Sequence, residues 1–332
     1  MVSCELGYLI FQKNNPFSTL KFLHTRFSYI IDGLGYFFEG FIEQFCINKI
    51  NKTMNTEKVW FVTGASKGLG LALVKQLLQA GYKVVATTRS IPALNAELSF
   101  GLDQLLPLEV NLTDSLDVKL AIEKSIAHFG KIDVIVNNAG YGQLGTIEEL
   151  TDEEARQNFD VNVFGVLNVI RHAMPYLRAQ QSGHIFNIAS VGGYVGGFAG
   201  WGVYCSTKFA MAGFTEALAE EVKEFGVKVT LVYPGYFRTD FLSKGSLRIP
   251  QNAIQAYKEA RESERVHLNA IAGNQPNNPD KAASALIKVS NEQNPPVHLL
   301  LGKDAYDMVQ QKIDFMTKQV EQWKEVSIST AY

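Results

Sequence analysis

The sequence predicts an α/β fold, a doubly wound parallel sheet flanked by helices, on three observations. Short β-branched and apolar runs recur from residue 59 to residue 301, segments of helical period separate them, and the first run ends in a glycine cluster that opens into a helix. Near-continuous apolar strands alternating with helices mean a sheet buried on both faces, which is the parallel arrangement.

The elements follow in order. Residues 59–63 (VWFVT) form the first strand, and Leu69, Leu73, Gln76, Leu77 and Ala80 then recur at helical spacing until Gly81 stops them. Further strands are predicted at 83–88, 105–110, 132–137, 184–189 and 227–233, with a last one at 297–301. Helices are predicted at 114–129, 152–179, 203–225, 279–290 and 303–325. The longest irregular region, 240–278, reads as an insertion in the domain and a substrate lid. Ligands of such sheets bind at the carboxyl ends of the strands.

The composition excludes several classes. With 332 residues, 46% hydrophobic and 19% charged, the chain has ordinary globular content and is neither disordered, collagen-like nor a disulfide scaffold. Lys plus Arg total 31 against 33 Asp plus Glu, so no general basic field attracts nucleic acid or anionic lipid. Cys4, Cys46 and Cys205 show no C-x-x-C spacing, and the six histidines show no ligand spacing. The expectation is no metal and a reducing, cytoplasmic setting.

Residues 1–53 stand apart. They are crowded with aromatics yet have neither helical period nor alternation, and Asp32, Glu39 and Glu43 interrupt the best candidate for a membrane span. The opening residues carry Glu5 and no Lys or Arg, unlike a secretory signal. Residues 1–53 are therefore expected to be an atypical extension that is not translated, with Met54 as the start and 54–332 as one domain. The alternative is a membrane-associating or partner-binding arm.

After the first strand comes T-G-x-x-x-G-x-G, from Thr63 through Gly64, Ser66, Lys67, Gly68 and Leu69 to Gly70. Glycines let the backbone approach a pyrophosphate, and a helix amino end supplies N–H donors and a favourable dipole. The bland reading is a tight turn alone. Gly64, Ser66 and Gly68 also spell the G-x-S-x-G of a nucleophile elbow, so a serine hydrolase using Ser66 is the rival from another class. An elbow follows several strands rather than the first, and only His298 is at hand as its base. Arg89 follows the second strand, where a fold that prefers NAD places an acid. With Lys67 and Ser66 it is suited to a 2'-phosphate, which favours NADP(H) and keeps NAD(H) as the alternative.

Tyr204 and Lys208 are four residues apart in a helical stretch, hence on one face. An ammonium beside a phenol favours the phenolate and fits it for acid–base work near neutral pH. Taken alone, Y-x-x-x-K is a common structural pattern. Its company is Asn137-Asn138-Ala139-Gly140 after the fourth strand, Asn162 in N-V-F-G, Ser190 ending the fifth strand and Pro234-Gly235 ending the sixth.

With these motifs in this order, residues 57–330 resemble the short-chain dehydrogenase/reductase family, in flavour its steroid- and retinol-dehydrogenase-like branch. The resemblance implies a Rossmann-like domain with a seven-stranded parallel sheet, and hydride exchange between a nicotinamide cofactor and a lipophilic carbonyl or alcohol. It makes Tyr204 the acid that protonates the carbonyl oxygen. Lys208 would lower the tyrosine pKa and bind the nicotinamide ribose, Ser190 would hold the substrate oxygen, and Asn162 would position a relay water. Asn138, Ala139 and Gly140 would line the adenosine side. Thr239, beyond Pro234 and Gly235, would reach the nicotinamide or diphosphate. A homodimer or homotetramer through the helices at 152–179 and 203–225 is implied too.

Two departures stand out. Asn111 replaces the family's usual Asp, and its carbonyl oxygen is expected to keep the adenine contact. Ser190 and Tyr204 are fourteen positions apart, one more than is common in close relatives, across a glycine-rich loop expected to absorb the extra residue. Tyr194, Phe198, Trp201, Phe237 and Phe241 are candidates for the substrate wall, and Cys205 reads as a packing residue. A non-catalytic dinucleotide-binding regulator of the same fold is the second reading.

Overall fold

Neighbouring residues of the first strand enter opposite cores. Val59 and Phe61 pack into one apolar cluster and Trp60 and Val62 into another, all four fully buried. A sheet that spends both faces on burial must be covered by helices on both sides. The computed structural model describes residues 58–243 and 245–332. The readings of residues 1–53 and of a Met54 start lie outside the described residues.

The elements run β1 (Val59–Val62), α1 (Gly68–Gln79), β2 (Lys83–Thr88), α2 (Ile91–Asn95), β3 (Leu105–Glu109), α3 (Ser115–Phe129), β4 (Val134–Asn137) and β5 (Gly142–Gln143). Then come α4 (Asp152–Phe159), α5 (Gly165–Gln180), β6 (Gly183–Ile188), α6 (Gly202–Glu221), β7 (Val227–Pro234) and β8 (Leu247–Arg248). The chain continues through α7 (Lys258–Arg265), α8 (Pro279–Ser290), β9 (His298–Leu301), α9 (Lys303–Gln322) and α10 (Lys324–Ile328).

Seven strands form one parallel sheet in the order β3-β2-β1-β4-β6-β7-β9. From β1 the chain moves outward to β2 and β3, then returns to place β4 on the other side. That reversal opens a crevice beyond the carboxyl ends of β1 and β4. Pro107, which has no N–H to donate, lies in β3 at the sheet edge.

The expected strands and helices are present, with six differences, one of them the short helix α2, which no expected element covers. The helix expected at 152–179 is two helices joined by a π turn, Asp160–Phe164, where Asn162 is drawn into hydrogen bonds with Tyr141 and Thr207. The helix expected to reach 225 ends at Glu221, and Gly226 at φ 65° turns the chain into β7. The last helix is split between Gln322 and Lys324. The paired two-residue strands β5 and β8 are too short to show a period.

The region 240–278 is also not irregular throughout. It holds α7 and a π turn, Val266–Ile271. Only Ala260 of α7 is buried, so the segment lacks an apolar stripe. Its charges pair with each other instead, Arg261 with Glu264 and Arg265 with Glu262, each at 2.6 Å. No helix among the described residues is long and apolar enough to cross a membrane.

Candidate active site

A cleft of about 1080 Å3 opens at the crevice between the ends of β1 and β4. Its first wall is the glycine turn. Gly64 has φ +66°, and a Cβ there would lie 2.9 Å from the Ala139 Cα. Gly68, at φ +58°, faces Thr239 at 3.7 Å. Both are glycine for reasons of backbone hand, and at Gly64 for space as well. Gly70 does not line the cleft: a Cβ there would come within 2.4 Å of the Gly64 carbonyl oxygen, so its role is to let α1 pack onto the turn.

Asn138 ties this turn to the end of β4. Its Nδ2 donates to the carbonyl oxygens of Thr63 at 2.9 Å and Gly64 at 3.1 Å, while its backbone N–H donates to Thr63 Oγ1 at 3.0 Å. Ala139 N–H also donates to Thr63 Oγ1, at 3.0 Å. Ser66, Leu69, Ala139 and Gly140 line the cleft beside it.

Lys67 and Arg89 stand at the mouth, and Lys67 Nζ donates to the Gly245 carbonyl oxygen at 3.0 Å. Burial and the Arg89 charge both lower the Lys67 pKa, against a smaller opposing pull from Asp240. Two cations that repel each other are suited to an anion. Asn111 behaves differently from the expectation. Its Oδ1 accepts from Thr113 N–H at 3.2 Å and Thr113 Oγ1 at 2.8 Å, so the amide nitrogen, not the oxygen, is left for an adenine ring.

The second wall is α6. Tyr204 and Lys208 lie one turn apart on its buried face. Lys208 Nζ donates to the Ile188 carbonyl oxygen at 2.9 Å and lies 5.8 Å from the Tyr204 ring centre. Burial holds the Lys208 ammonium down at about 7. Burial also raises the Tyr204 phenol well above its ordinary value, and the Ser190 hydroxyl, hydrogen-bonded to the phenol, pulls it part of the way back. The expectation that Lys208 lowers the phenol meets a larger desolvation effect in the opposite direction. A neutral phenol is the form that donates a proton.

The glycine-rich loop does bring Ser190 to Tyr204. Ser190 Oγ caps a short turn by accepting from Gly192 N–H at 3.1 Å. A Cβ on Gly193 would lie 2.8 Å from the Lys208 carbonyl oxygen, so the loop lies directly on the α6 backbone. Asn162 sits behind Gly140 and is fully buried. Its amide is already engaged, accepting from Tyr141 N–H at 3.0 Å and donating to the Tyr141 carbonyl oxygen at 3.0 Å and Thr207 Oγ1 at 3.1 Å. Any water it positions must be held from elsewhere on this residue, such as its backbone.

The third wall follows β7. Pro234, Gly235 and Thr239 line the cleft, and Thr239 Oγ1 accepts from Phe241 N–H at 3.3 Å. Phe198, Trp201, Phe237 and Phe241 line it as well, whereas Tyr194 packs against Tyr233 outside it. Cys205 lines the cleft, and burial raises its thiol to about 11, too high for a thiolate nucleophile at neutral pH.

Four residues that the sequence did not single out shape this wall. Tyr236 and His267 line the cleft, and Asp304 and Asn277 clamp the Tyr236 backbone from behind. Adjacency to Pro234–Gly235 was the available signal for Tyr236. Asp304 and Asn277 carry no local signal. Ser66 has no hydrolase partner in His298, which bonds the Tyr233 hydroxyl at 3.2 Å and lies 3.7 Å from Glu216, outside the cleft. Among the described residues no group of three or more His, Cys, Asp or Glu is placed to hold a metal ion.

The cleft fits a dinucleotide: it has a turn too tight for side chains, a helix amino end and two cations at its mouth. Comparison with known proteins agrees. The family model described as short chain dehydrogenase matches residues 58–248. Oxidoreductase BOA17 of Botryotinia fuckeliana is 35% identical over 275 residues, 82% of this chain and 99% of that protein. A 3-ketodihydrosphingosine reductase of Bacteroides thetaiotaomicron is 35% identical over 247 residues, 74% of this chain and 88% of that protein. The crystal structure of a short-chain dehydrogenase from Streptomyces avermitilis superposes with a TM-score of 0.76 at 34% identity, covering 83% of this chain and 99% of that one.

Proposed function

Because the chain belongs to the short-chain dehydrogenase family and is an oxidoreductase of CH–OH donors, we propose that it transfers hydride between NADP(H) and a lipophilic ketone or secondary alcohol. The observation that carries this reading is the burial of Tyr204 and Lys208, one turn apart, in a cleft whose facing wall is the glycine turn.

The dinucleotide, when bound, supplies or receives the hydride. Tyr204 gives its proton to the substrate oxygen during reduction and takes it back in oxidation. Ser190 donates to the same oxygen and stabilises charge there. Lys208 holds the nicotinamide ribose and keeps a proton within reach of the phenol. Asn162 helps hold the relay water, and Thr239 faces the diphosphate.

Lys67 and Arg89 take the 2'-phosphate, which sets the preference for NADP(H) over NAD(H). The apolar wall of Phe198, Trp201 and Phe241 favours a lipophilic substrate of the steroid and retinol kind. The name of the Bacteroides relative supports a keto compound as substrate. Exposed Phe164 and Phe209, beside α5 and on α6, favour a homodimer or homotetramer through these helices. A cytoplasmic location completes the proposal.

The test is NADPH oxidation at 340 nm with a panel of ketones. Tyr204→Phe should lower turnover about 10²- to 10⁴-fold while NADPH still quenches tryptophan fluorescence. Unchanged turnover would remove Tyr204 from the reaction.

A further inference from the structure

Tyr236 carries a second phenol to the cleft, and the groups behind it fix the direction of its hydrogen bond. Its N–H donates to Asp304 Oδ2 at 2.7 Å and its carbonyl oxygen accepts from Asn277 Nδ2 at 2.9 Å, so the backbone is held on both sides. The hydroxyl oxygen lies 3.0 Å from His267 Nε2. The other ring nitrogen, Nδ1, lies 2.7 Å from the Ser263 carbonyl oxygen.

A carbonyl oxygen only accepts, so Nδ1 carries the hydrogen. Burial disfavours the imidazolium of His267, which leaves Nε2 as a lone pair. The Tyr236 hydroxyl therefore donates to Nε2. Its oxygen is left with accepting capacity alone.

Tyr236 and His267, the two residues this bond joins, line the same cleft as Tyr204. The Trp201 ring centre is 4.8 Å from His267 and 5.4 Å from Tyr204, and Tyr236 lies near enough to act electrostatically on the Tyr204 phenol. The neighbours here are aromatic, and covering an acceptor with hydrocarbon costs free energy. A second carbonyl or an anion placed there would set acceptor against acceptor.

We propose that Tyr236, oriented by His267, is a specificity-determining residue. The substrate then carries, besides the carbonyl that Tyr204 protonates, a hydrogen-bond donor such as a hydroxyl that the Tyr236 oxygen receives. This rests on the reductase reading above. His267 is a positioning residue, because it acts through Tyr236.

The experiment compares 2-decanone with 1-hydroxy-, 4-hydroxy- and 5-hydroxy-2-decanone, using NADPH and the full chain. At least one hydroxyketone should exceed 2-decanone in kcat/KM by about tenfold or more, the worth of one well-placed hydrogen bond. Tyr236→Phe should abolish that ratio, and His267→Leu should reduce it because the freed hydroxyl rotates. NADPH quenching with equal affinity in all three proteins shows that the fold is kept.

The inference is overturned if the wild type treats the four ketones alike, or if Tyr236→Phe slows 2-decanone and the hydroxyketones by the same factor. Oxidation of NADPH with none of the ketones overturns the reductase reading, and this inference with it.

Discussion

The Lys208 ammonium lies 5.8 Å from the centre of the Tyr204 ring and is bonded to the Ile188 carbonyl oxygen at 2.9 Å. Burial lowers its pKa to about 7 from an unfolded value of 10.5. Between these values the unfolded chain binds one more proton than the folded one. The penalty is full below pH 7 and fades as pH rises, so stability should climb from pH 7 to about 10.5. Lys208→Met should remove that climb, stabilise the protein at pH 7 by on the order of a few kcal/mol and abolish turnover. Urea unfolding at several pH values checks it, and a variant with the wild-type slope would locate the titration elsewhere.

The fold and much of the site were legible because their signals are local. The unbroken apolar run of Val59, Trp60, Phe61 and Val62, repeated in the later strands between helices, made a two-faced sheet readable, and its residues do enter two cores. The turn from Gly64 to Gly70 is contiguous, and Tyr204 and Lys208 share one helix face. What was missed is non-local or set by competition. Asp304 reaches Tyr236 across 68 positions, and no period announces such a contact. Nothing adjacent in the sequence marks the Asn111 oxygen as taken, yet Thr113, two residues on, gives it two donors. The helix α7 carries no period to read because it is held by ion pairs rather than by an apolar stripe.

His184 gives a separate acid-side prediction. Its Nε2 bonds Thr230 Oγ1 at 2.9 Å and its ring stacks on Phe186 at 3.9 Å. Burial, aided by the charges of Lys228 and Lys58, lowers its pKa from 6.5 to about 3. Between pH 6.5 and 3 the unfolded chain takes a proton that the folded one refuses, so stability falls with falling pH. At pH 4.5 the loss should be about 2 to 3 kcal/mol relative to pH 7.5. His184→Gln keeps a partner for Thr230 but does not titrate, and should remove that part of the acid sensitivity in urea unfolding.

Glu149 fastens the segment proposed as the lid. Its fully buried carboxylate accepts from Thr146 N–H and Ile254 N–H, each at 2.7 Å, and from Arg261 Nη2 at 2.8 Å. Burial raises its pKa, but the two backbone bonds and the Arg261 charge outweigh that and leave it lowered. Arg261→Met strands the carboxylate and should cost about 3 kcal/mol. It should also speed proteolytic nicking between residues 249 and 265 and raise KM more than it lowers kcat. Adding Glu149→Gln should restore part of the loss, and strictly additive costs would show that the two residues are not coupled.

Lys67 and Arg89 allow the cofactor preference to be tested without turnover. Partial burial and the Arg89 charge lower the Lys67 pKa, so the two cations repel each other. A 2'-phosphate relieves that repulsion, whereas the ribose hydroxyl of NADH offers no charge. Arg89→Ser should weaken NADPH by about 10- to 100-fold, the worth of a charge-assisted hydrogen bond, and leave NADH within twofold. Lys67→Ala should act in the same direction. Because both groups are exposed, rising salt should erode the NADPH advantage of the wild type and leave the variants little changed. Tryptophan-quench titrations with each cofactor at two ionic strengths make the comparison. Equal weakening of NADPH and NADH would instead place Arg89 and Lys67 on the diphosphate that both cofactors share.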